Sequence, residues 1–382
     1  MPPPAALGPN ARLIGQRHAR EQLATPALVL DLDVFEHNVA LMANRCRRAH
    51  KGLRPHAKTH KSARIARAQL AAGAVGICVA TVHEATVMVA AGVSGVLITS
   101  PIVGTAKLAM LERLLARRGD VTVVVDNIEA VAGLERSARR ARRSPDVLID
   151  IDVGMKRTGV PDVRGAVLLA RRLATSSVLQ YAGVQCYSGS VQHIVRAAAR
   201  VRAYSRQLAH LERVLEALAR RGHGARIVSG GGTGTFEIDR RGALFTECQP
   251  GSYVFMDAQY NAVEPVAHAA WPFKTSLYVQ TMVSSNHYPR AVTLDAGLKS
   301  FAMDGPAPLP VRGAPRSARY QYFGDEFGRL VLPRGARPLP LGHKIELITP
   351  HCDPTVNLHD FYHCVRGDRL VDIWPVDARG TL

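Results

Sequence analysis

The segment RPHAKTHK at residues 54–61 sets one lysine, Lys58, between two histidines, His56 and His60, with Arg54 and Lys61 close by. Neighbouring cations and partial burial both favour a neutral amine, and a neutral lysine can attack a carbonyl carbon to form a Schiff base. A plain basic surface loop has the same composition, so the segment alone decides nothing. A second segment, SGGGTGTF at 229–236, opens with Ser229 and carries Gly230, Gly231 and Gly232 followed by Thr233 and Thr235. Glycines let a backbone approach a ligand closely and turn N–H groups toward an anion, and the threonines add hydroxyl donors. Lysine and glycine loop together make a phosphate-bearing, lysine-linked cofactor the economical explanation.

Other reactive side chains gather in three further segments. DIDVGMKRTGV at 150–160 supplies Asp152 and Arg157. The arginine suits a bidentate grip on a substrate carboxylate, while Asp152 reads equally well as a carboxylate bonded to neighbouring loops. QCYSGS at 185–190 supplies Gln185 and Tyr187. TPHCDPTVNLHD at 349–360 sets His351 and Asp353 two residues apart, a spacing that in a strand puts both on one face and Cys352 on the other. Imidazole plus carboxylate suits Mn²⁺, Mg²⁺ or a similar divalent ion with open positions for water or substrate. Taken alone, the pair reads as an ordinary hydrogen-bonded couple, and His359 and His363 read as structural or surface residues.

The elements that must hold these groups follow from periodicity. Eight β-rich runs alternate with helix-like intervals such as Ser62–Ala72 and His83–Ala91: Leu53–His56, Gly76–Ala80, Val96–Thr99, Val121–Val125, Val147–Asp152, Ala182–Cys186, Arg226–Ser229 and Tyr253–Met256. Alternation implies parallel strands with crossover helices, and eight such units close into a (β/α)8 barrel, with an open doubly wound sheet as the alternative. Lys58, Arg157, Tyr187 and the glycine loop then all follow strand ends, where barrels carry their active sites. Beyond Trp271 the helical periodicity stops, and SLYVQTMVSS, AVTLDAGL, KIELITP and RLVDIWPV suggest a mainly β second domain. The expected division is an N-terminal arm (1–24), a barrel (25–270) and a C-terminal β domain carrying the metal ligands (271–382), with ALVLDLD near residue 30 fitting either domain.

Composition narrows the class. The chain is 47% hydrophobic but has no apolar run long enough to span a membrane, and the proline-rich start does not resemble a signal peptide, so a cytoplasmic, soluble protein is expected. Six scattered cysteines without a C-x-x-C pair read as reduced thiols. The formal charge of +18 invites a nucleic-acid reading, yet its arginines, such as Arg139, Arg140, Arg220 and Arg221, fall on predicted helix faces without aromatic interleaving. No nucleic-acid partner is expected.

TPALVLDLD, RPHAKTHK, DVGMKRTGV, GGGTGTF, GSYVFMD and PHCDPTVNLHD, in that order between Thr25 and Gly380, resemble the D-threonine aldolase and 3-hydroxy-D-aspartate aldolase family, whose wider relatives include D-serine dehydratases and alanine racemases. The resemblance implies fold-type III, with pyridoxal 5'-phosphate (PLP) on Lys58 and its phosphate at Gly231, Gly232 and Thr233. It adds Arg157, Gln185, Tyr187, Ser229 and Tyr253 as cofactor contacts, and His60 and His193 beside Lys58 as catalytic groups. It makes His351 and Asp353 ligands of Mn²⁺ or Mg²⁺, with Zn²⁺ the softer alternative. Dehydratases of this group place cysteine where Asp353 stands, so the carboxylate favours an aldolase that splits a β-hydroxy-D-amino acid into glycine and an aldehyde. A dehydratase giving a keto acid and ammonia is the alternative; a racemase or a non-catalytic PLP carrier ranks below it. Phe327 in GDEFG stands where many relatives carry histidine. A homodimer is expected on the same ground.

Overall fold

A computed structural model of the chain describes residues 7–266, 269–337 and 339–380. Nine strands lie in the first two-thirds: β1 (Ala27–Asp31), β2 (Gly52–Leu53), β3 (Ile77–Val79), β4 (Val96–Ile98), β5 (Val121–Val125), β6 (Asp146–Asp150), β7 (Gln180–Cys186), β8 (Ile227–Gly230) and β9 (Glu247–Cys248). Strands β2 to β9 pair in parallel in the order β2-β9-β8-β7-β6-β5-β4-β3, and a parallel bridge between His56 and Cys78 joins the two ends into the expected barrel. Alternation along each strand sorts the side chains. Val96 and Ile98, Val123 and Val125, and Val147 and Ile149 point out to the helices, while Cys78, Leu97, Val124, Leu148 and Ala182 fill the barrel interior. One step further toward the strand ends, the inward positions become polar: Thr99, Asp150 and Gln185. The crossover helices start where Asp31, Thr81, Asn127 and Asp162 accept orphan N–H groups of their first turns.

The eighth barrel strand is Glu247–Cys248, not Tyr253–Met256. Ser252–Val254 forms a 3₁₀ turn, and Tyr253, Val254, Phe255 and Met256 are apolar because they fill the core shared with the second domain.

The second domain comprises β10 (Leu277–Tyr288), β11 (Ala291–Leu294), β12 (Leu309–Arg312), β13 (Arg319–Tyr322), β14 (Gly328–Val331), β15 (Lys344–Ile348), β16 (Phe361–Arg366) and β17 (Arg369–Pro375). It is mainly β, as expected, but its sheet includes β1, which runs antiparallel to β10 and parallel to β16. The barrel therefore does not begin at residue 25. The described part of the N-terminal arm packs onto this sheet. Leu7, Leu13, Ala19 and Leu23 share a buried cluster with Val29, Val365 and Leu370, and Arg20 forms a buried pair with Glu346 at 2.6 Å. All six cysteines are buried and unpaired, and among the described residues no helix is long and apolar enough to cross a membrane.

His363 ties the arm to this sheet. Its Nδ1–H donates to Leu28 O at 3.1 Å, which leaves Nε2 to accept from Asn10 Nδ2 at 2.9 Å. Burial pushes His363 down to about 4, and His60 likewise. As pH falls, an unfolded histidine binds its proton near 6.5 and these folded ones only near 4, so stability present above 6.5 is lost progressively down to about 4. Each contributes up to ~3 kcal/mol of that loss. Melting temperatures should therefore drop steeply between pH 6.5 and 4, and His363→Gln should flatten the slope; equal slopes in the two chains would overturn this account.

Candidate functional site

The polar inward ring floors a pocket of about 260 Å³ at the C-terminal end of the barrel, lined by His56, Thr99, Asp150, Gln185, Gln249, Arg157, Tyr187 and Lys58 among others. Lys58 enters from the 3₁₀ turn Ala57–Thr59, which follows β2 and is capped by His56. Its ammonium lies 5.6 Å from the ring centroid of Tyr187, and the Arg157 guanidinium lies 5.7 Å from the same ring. Below them Gln185 Nε2 donates to Asp150 Oδ1 at 3.0 Å and to Thr99 O at 2.9 Å. Burial raises the Asp150 carboxyl above its usual range.

Lys58 does not meet the cations that its sequence neighbours suggest. Arg54 pairs with Glu247 at 2.8 Å, and Lys61 donates to Asn357 at 2.8 Å. Lys58 faces Asp353 instead, Nζ to Oδ2 at 3.5 Å, with its side chain 38% exposed to the pocket. Burial pulls its pKa down, but the Asp353 carboxylate and the Tyr187 phenol together outweigh burial, and the resting lysine sits above its ordinary value. For Asp353 burial works upward, and Lys58 and His351 overcome it to hold the carboxyl at about 2.

Asp353 is brought beside Lys58, with His351 two residues before it, though not on a strand. β15 ends at Ile348; His351 precedes the short helix Cys352–Val356, and Asp353 sits in its first turn. Cys352 still turns inward, its N–H donating to Asp257 Oδ2 at 2.9 Å. The Nδ1 of His351 lies 2.7 Å from Asp304 Oδ2. A carboxylate on Nδ1 fixes the tautomer that leaves Nε2 as a free electron pair, the usual support for a metal-binding histidine. Among the described residues no cluster of three or more metal-ligating side chains occurs, so protein ligation here would rest on His351 and Asp353.

His193 joins this group. It follows β7 in the chain, and its ring centroid lies 4.6 Å from that of Tyr260 and 6.3 Å from that of His351. Burial, with His351 beside it, lowers His193 to about 4 and leaves it neutral at physiological pH.

The glycine loop leaves β8 between β7 and β9, beside Gln249, which donates to Ser229 Oγ at 2.8 Å. A Cβ on Gly232 would press within 2.6 Å of Gln192, and Gly231 has φ +72°, so the tight curl requires glycine at both positions. Thr233 Oγ1 accepts the N–H of Tyr253 at 3.1 Å.

Two expected site residues point elsewhere. His60 is fully buried, its Nδ1 accepting the Ser62 N–H at 3.1 Å, and it does not line the pocket. The Tyr253 phenol reaches Gln69 at 3.1 Å in the core, so only its backbone touches the glycine loop. Asp152 takes the structural role: its Oδ1 accepts N–H groups of Gly154 and Met155 at 2.8 and 2.7 Å. Sequence reasoning passed over Asp150, which an inward count from Leu148 would have found. It also missed Asp304, which carries no local signal.

Two family models cover most of the chain: the alanine racemase N-terminal domain over residues 30–259 and a putative serine dehydratase domain over 276–365. A D-threonine aldolase of an Arthrobacter species is 39% identical over 100% of this chain and 97% of its own length. A 3-hydroxy-D-aspartate aldolase of Paracoccus denitrificans is 33% identical over 94% of this chain and 93% of its own. The crystal structure of D-threonine aldolase from Filomicrobium marinum superposes with a TM-score of 0.90 at 38% identity, covering 94% of this chain and 96% of that one. With full-length similarity and the racemase-type barrel agreeing, the chain belongs to the D-threonine aldolase and 3-hydroxy-D-aspartate aldolase family.

Proposed function

We propose that this protein is a PLP- and divalent-metal-dependent aldolase that cleaves β-hydroxy-D-amino acids of the D-threonine or 3-hydroxy-D-aspartate type to glycine and an aldehyde. The observation that carries the reading is the 3.5 Å approach of Asp353 to Lys58, which unites the lysine after β2 with the histidine and carboxylate of the second domain. The residues fit the cofactor. Among the described residues the pocket has one amine on its wall, and next to Gln249 runs a glycine curl packed too closely on Asp239 and Gln192 to carry side chains, which leaves its backbone bare for an anion. PLP, when bound, supplies an electron-accepting ring for the break between Cα and Cβ. The residues also fit a metal ion, held by His351 Nε2 and Asp353 with Asp304 behind; a bound divalent ion lowers the pKa of a ligand hydroxyl.

The chain's own groups divide the remaining work. Arg157 on the pocket wall binds the substrate carboxylate, and Tyr187, whose ring lies beside both Arg157 and Lys58, holds these two cations on one side of the pocket. His193, neutral at physiological pH, takes the proton of the β-hydroxyl as the aldehyde forms. Lys58, displaced but kept beside Asp353, returns a proton to Cα and yields glycine. The same reading makes the enzyme a cytoplasmic homodimer that needs neither nucleic acid nor membrane.

Product analysis tests the assignment. D-threonine, 3-hydroxy-D-aspartate and D-serine are supplied separately to enzyme loaded with PLP and Mn²⁺. Glycine plus an aldehyde is expected from at least one of the first two, whereas keto acid and ammonia would establish the dehydratase in its place.

A further inference from the structure

Behind the glycine loop lies a carboxyl group that this reaction scheme leaves unused. Asp239 ends the short helix Phe236–Asp239 and is 1% exposed. Its Oδ2 accepts the hydroxyl hydrogen of Thr235 at 2.7 Å, and the same Thr235 oxygen accepts the N–H of Gly232 at 3.0 Å. Gln192 reinforces the link: its Nε2 reaches Thr235 Oγ1 at 3.3 Å, and its Oε1 accepts the Gly234 N–H at 2.9 Å. A Cβ on Gly231 would overlap the Asp239 carboxyl, so the two stand back to back. Asp239 Oδ1 and the buried hydroxyl of Tyr204 face each other, and neither has a hydrogen bond of good geometry to any other described residue.

The titratable groups around Asp239 come from four elements: Tyr204 from the helix Ala197–Ala219, Cys186 from β7, Cys248 from β9 and Lys51 before β2. The Lys51 ammonium is directed to Phe245 O at 2.5 Å. Thr235, Tyr204 and the Gly232 N–H favour the ionised carboxylate, but burial outweighs them, and a phosphate dianion on the far side of the loop adds repulsion. A protonated carboxyl fits both neighbours, with Oδ2 accepting from Thr235 while Oδ1–H donates to Tyr204.

We propose that Asp239 acts as a neutral carboxylic acid behind the phosphate loop, a positioning residue that holds Thr235 and Gly232 in shape for a phosphate ester and weakens its binding once ionised. The inference rests on reading this loop as the phosphate site of PLP. Burial raises Asp239 to about 7, which brings the ionisation into the working range of pH. Because phosphate favours the acid form, binding above that pH takes up a proton, and affinity should fall toward about tenfold per pH unit.

The test is the dissociation constant of PLP, read by absorbance, against that of pyridoxal, which lacks the phosphate, for the full chain and for Asp239→Asn between pH 6 and 8.5. The imine at Lys58 is common to both ligands and cancels in their ratio. Asparagine keeps an acceptor for Thr235 and a donor for Tyr204 without the charge. The preference of the unaltered chain for PLP over pyridoxal should shrink about tenfold or more between pH 7 and 8.5, while that of Asp239→Asn stays level. A preference that is flat or rising with pH in the unaltered chain overturns the proposal, as does an equal decline in Asp239→Asn. If the variant fails to fold, the unaltered chain alone carries the test. Failure to bind PLP at any pH would overturn the cofactor reading and this inference with it, whereas PLP binding with a flat preference removes Asp239's role alone.

Discussion

Lys58→Ala should lower kcat/KM on the order of 10⁴-fold or more and abolish the absorbance of lysine-bound PLP, while the melting temperature of the cofactor-free chain changes little. The size of the effect follows from the pocket. Lys58 is the amine on its wall, its side chain is 38% exposed to it, and the nearby cations Arg54 and Lys61 are engaged with Glu247 and Asn357. Among the described residues no other amine lines the pocket to replace it. Since Asp353 keeps the resting lysine above its ordinary pKa, attachment of PLP to the metal-free chain should quicken as pH rises toward the lysine range. Arginine at position 58 keeps the charge and the pair with Asp353 but cannot lose its proton; it should be as inactive as alanine. Turnover by Lys58→Ala at the normal rate would remove the lysine from the reaction altogether.

Asp353→Asn should bring the second large loss, about 10³-fold in kcat, together with loss of any stimulation by added divalent ion. Two consequences separate a ligand from a residue that merely packs. First, a strong chelator should silence the unaltered enzyme reversibly and leave the residual activity of Asp353→Asn untouched. Secondly, removing the carboxylate takes away the charge that raises Lys58, so PLP should attach to the variant at lower pH than to the unaltered chain. A variant that loads cofactor more readily yet turns over poorly is hard to explain as a folding defect. Asp304→Asn, one step back from the ion, should weaken metal binding by about 10–100-fold through His351. Full-rate cleavage by thoroughly demetallated enzyme would end the metal assignment.

The barrel was readable because its pattern is local. Val121–Val125 and Val96–Ile98 are short apolar runs between amphipathic helices, and alternate residues do go in and out. Glu247–Cys248 was not readable: two residues, one of them charged, hold a strand in place only because β2 and β8 flank them. The apolar Tyr253–Met256 mimics a strand because burial against the second domain needs the same residue types as a sheet does. Lys58, Arg157 and Tyr187 could be named in advance since each follows a recognisable strand end. His60 shares the motif of Lys58, yet its ring turns inward to Ser62, and nothing in a histidine's neighbours along the chain announces that. The pairing of His351 with Asp304 joins two loops that only the tertiary structure brings together.

The position of β1 has a consequence for how the chain is made. It is the first described strand but lies inside the second sheet, held between Tyr278 on one side and His363 on the other. On a ribosome it emerges before the barrel and must wait about 250 residues for its nearer partner, while the whole barrel is synthesised in between; such long-range pairing is slow to form. The barrel is thus an insertion in the second domain rather than its predecessor. A fragment starting near residue 271 would lack an interior strand and expose the facing edges of β10 and β16, a template for aggregation. Genetic separation of the two domains calls for a graft that carries residues 7–31 onto the C-terminal piece, or a circular permutation opened between β1 and β2.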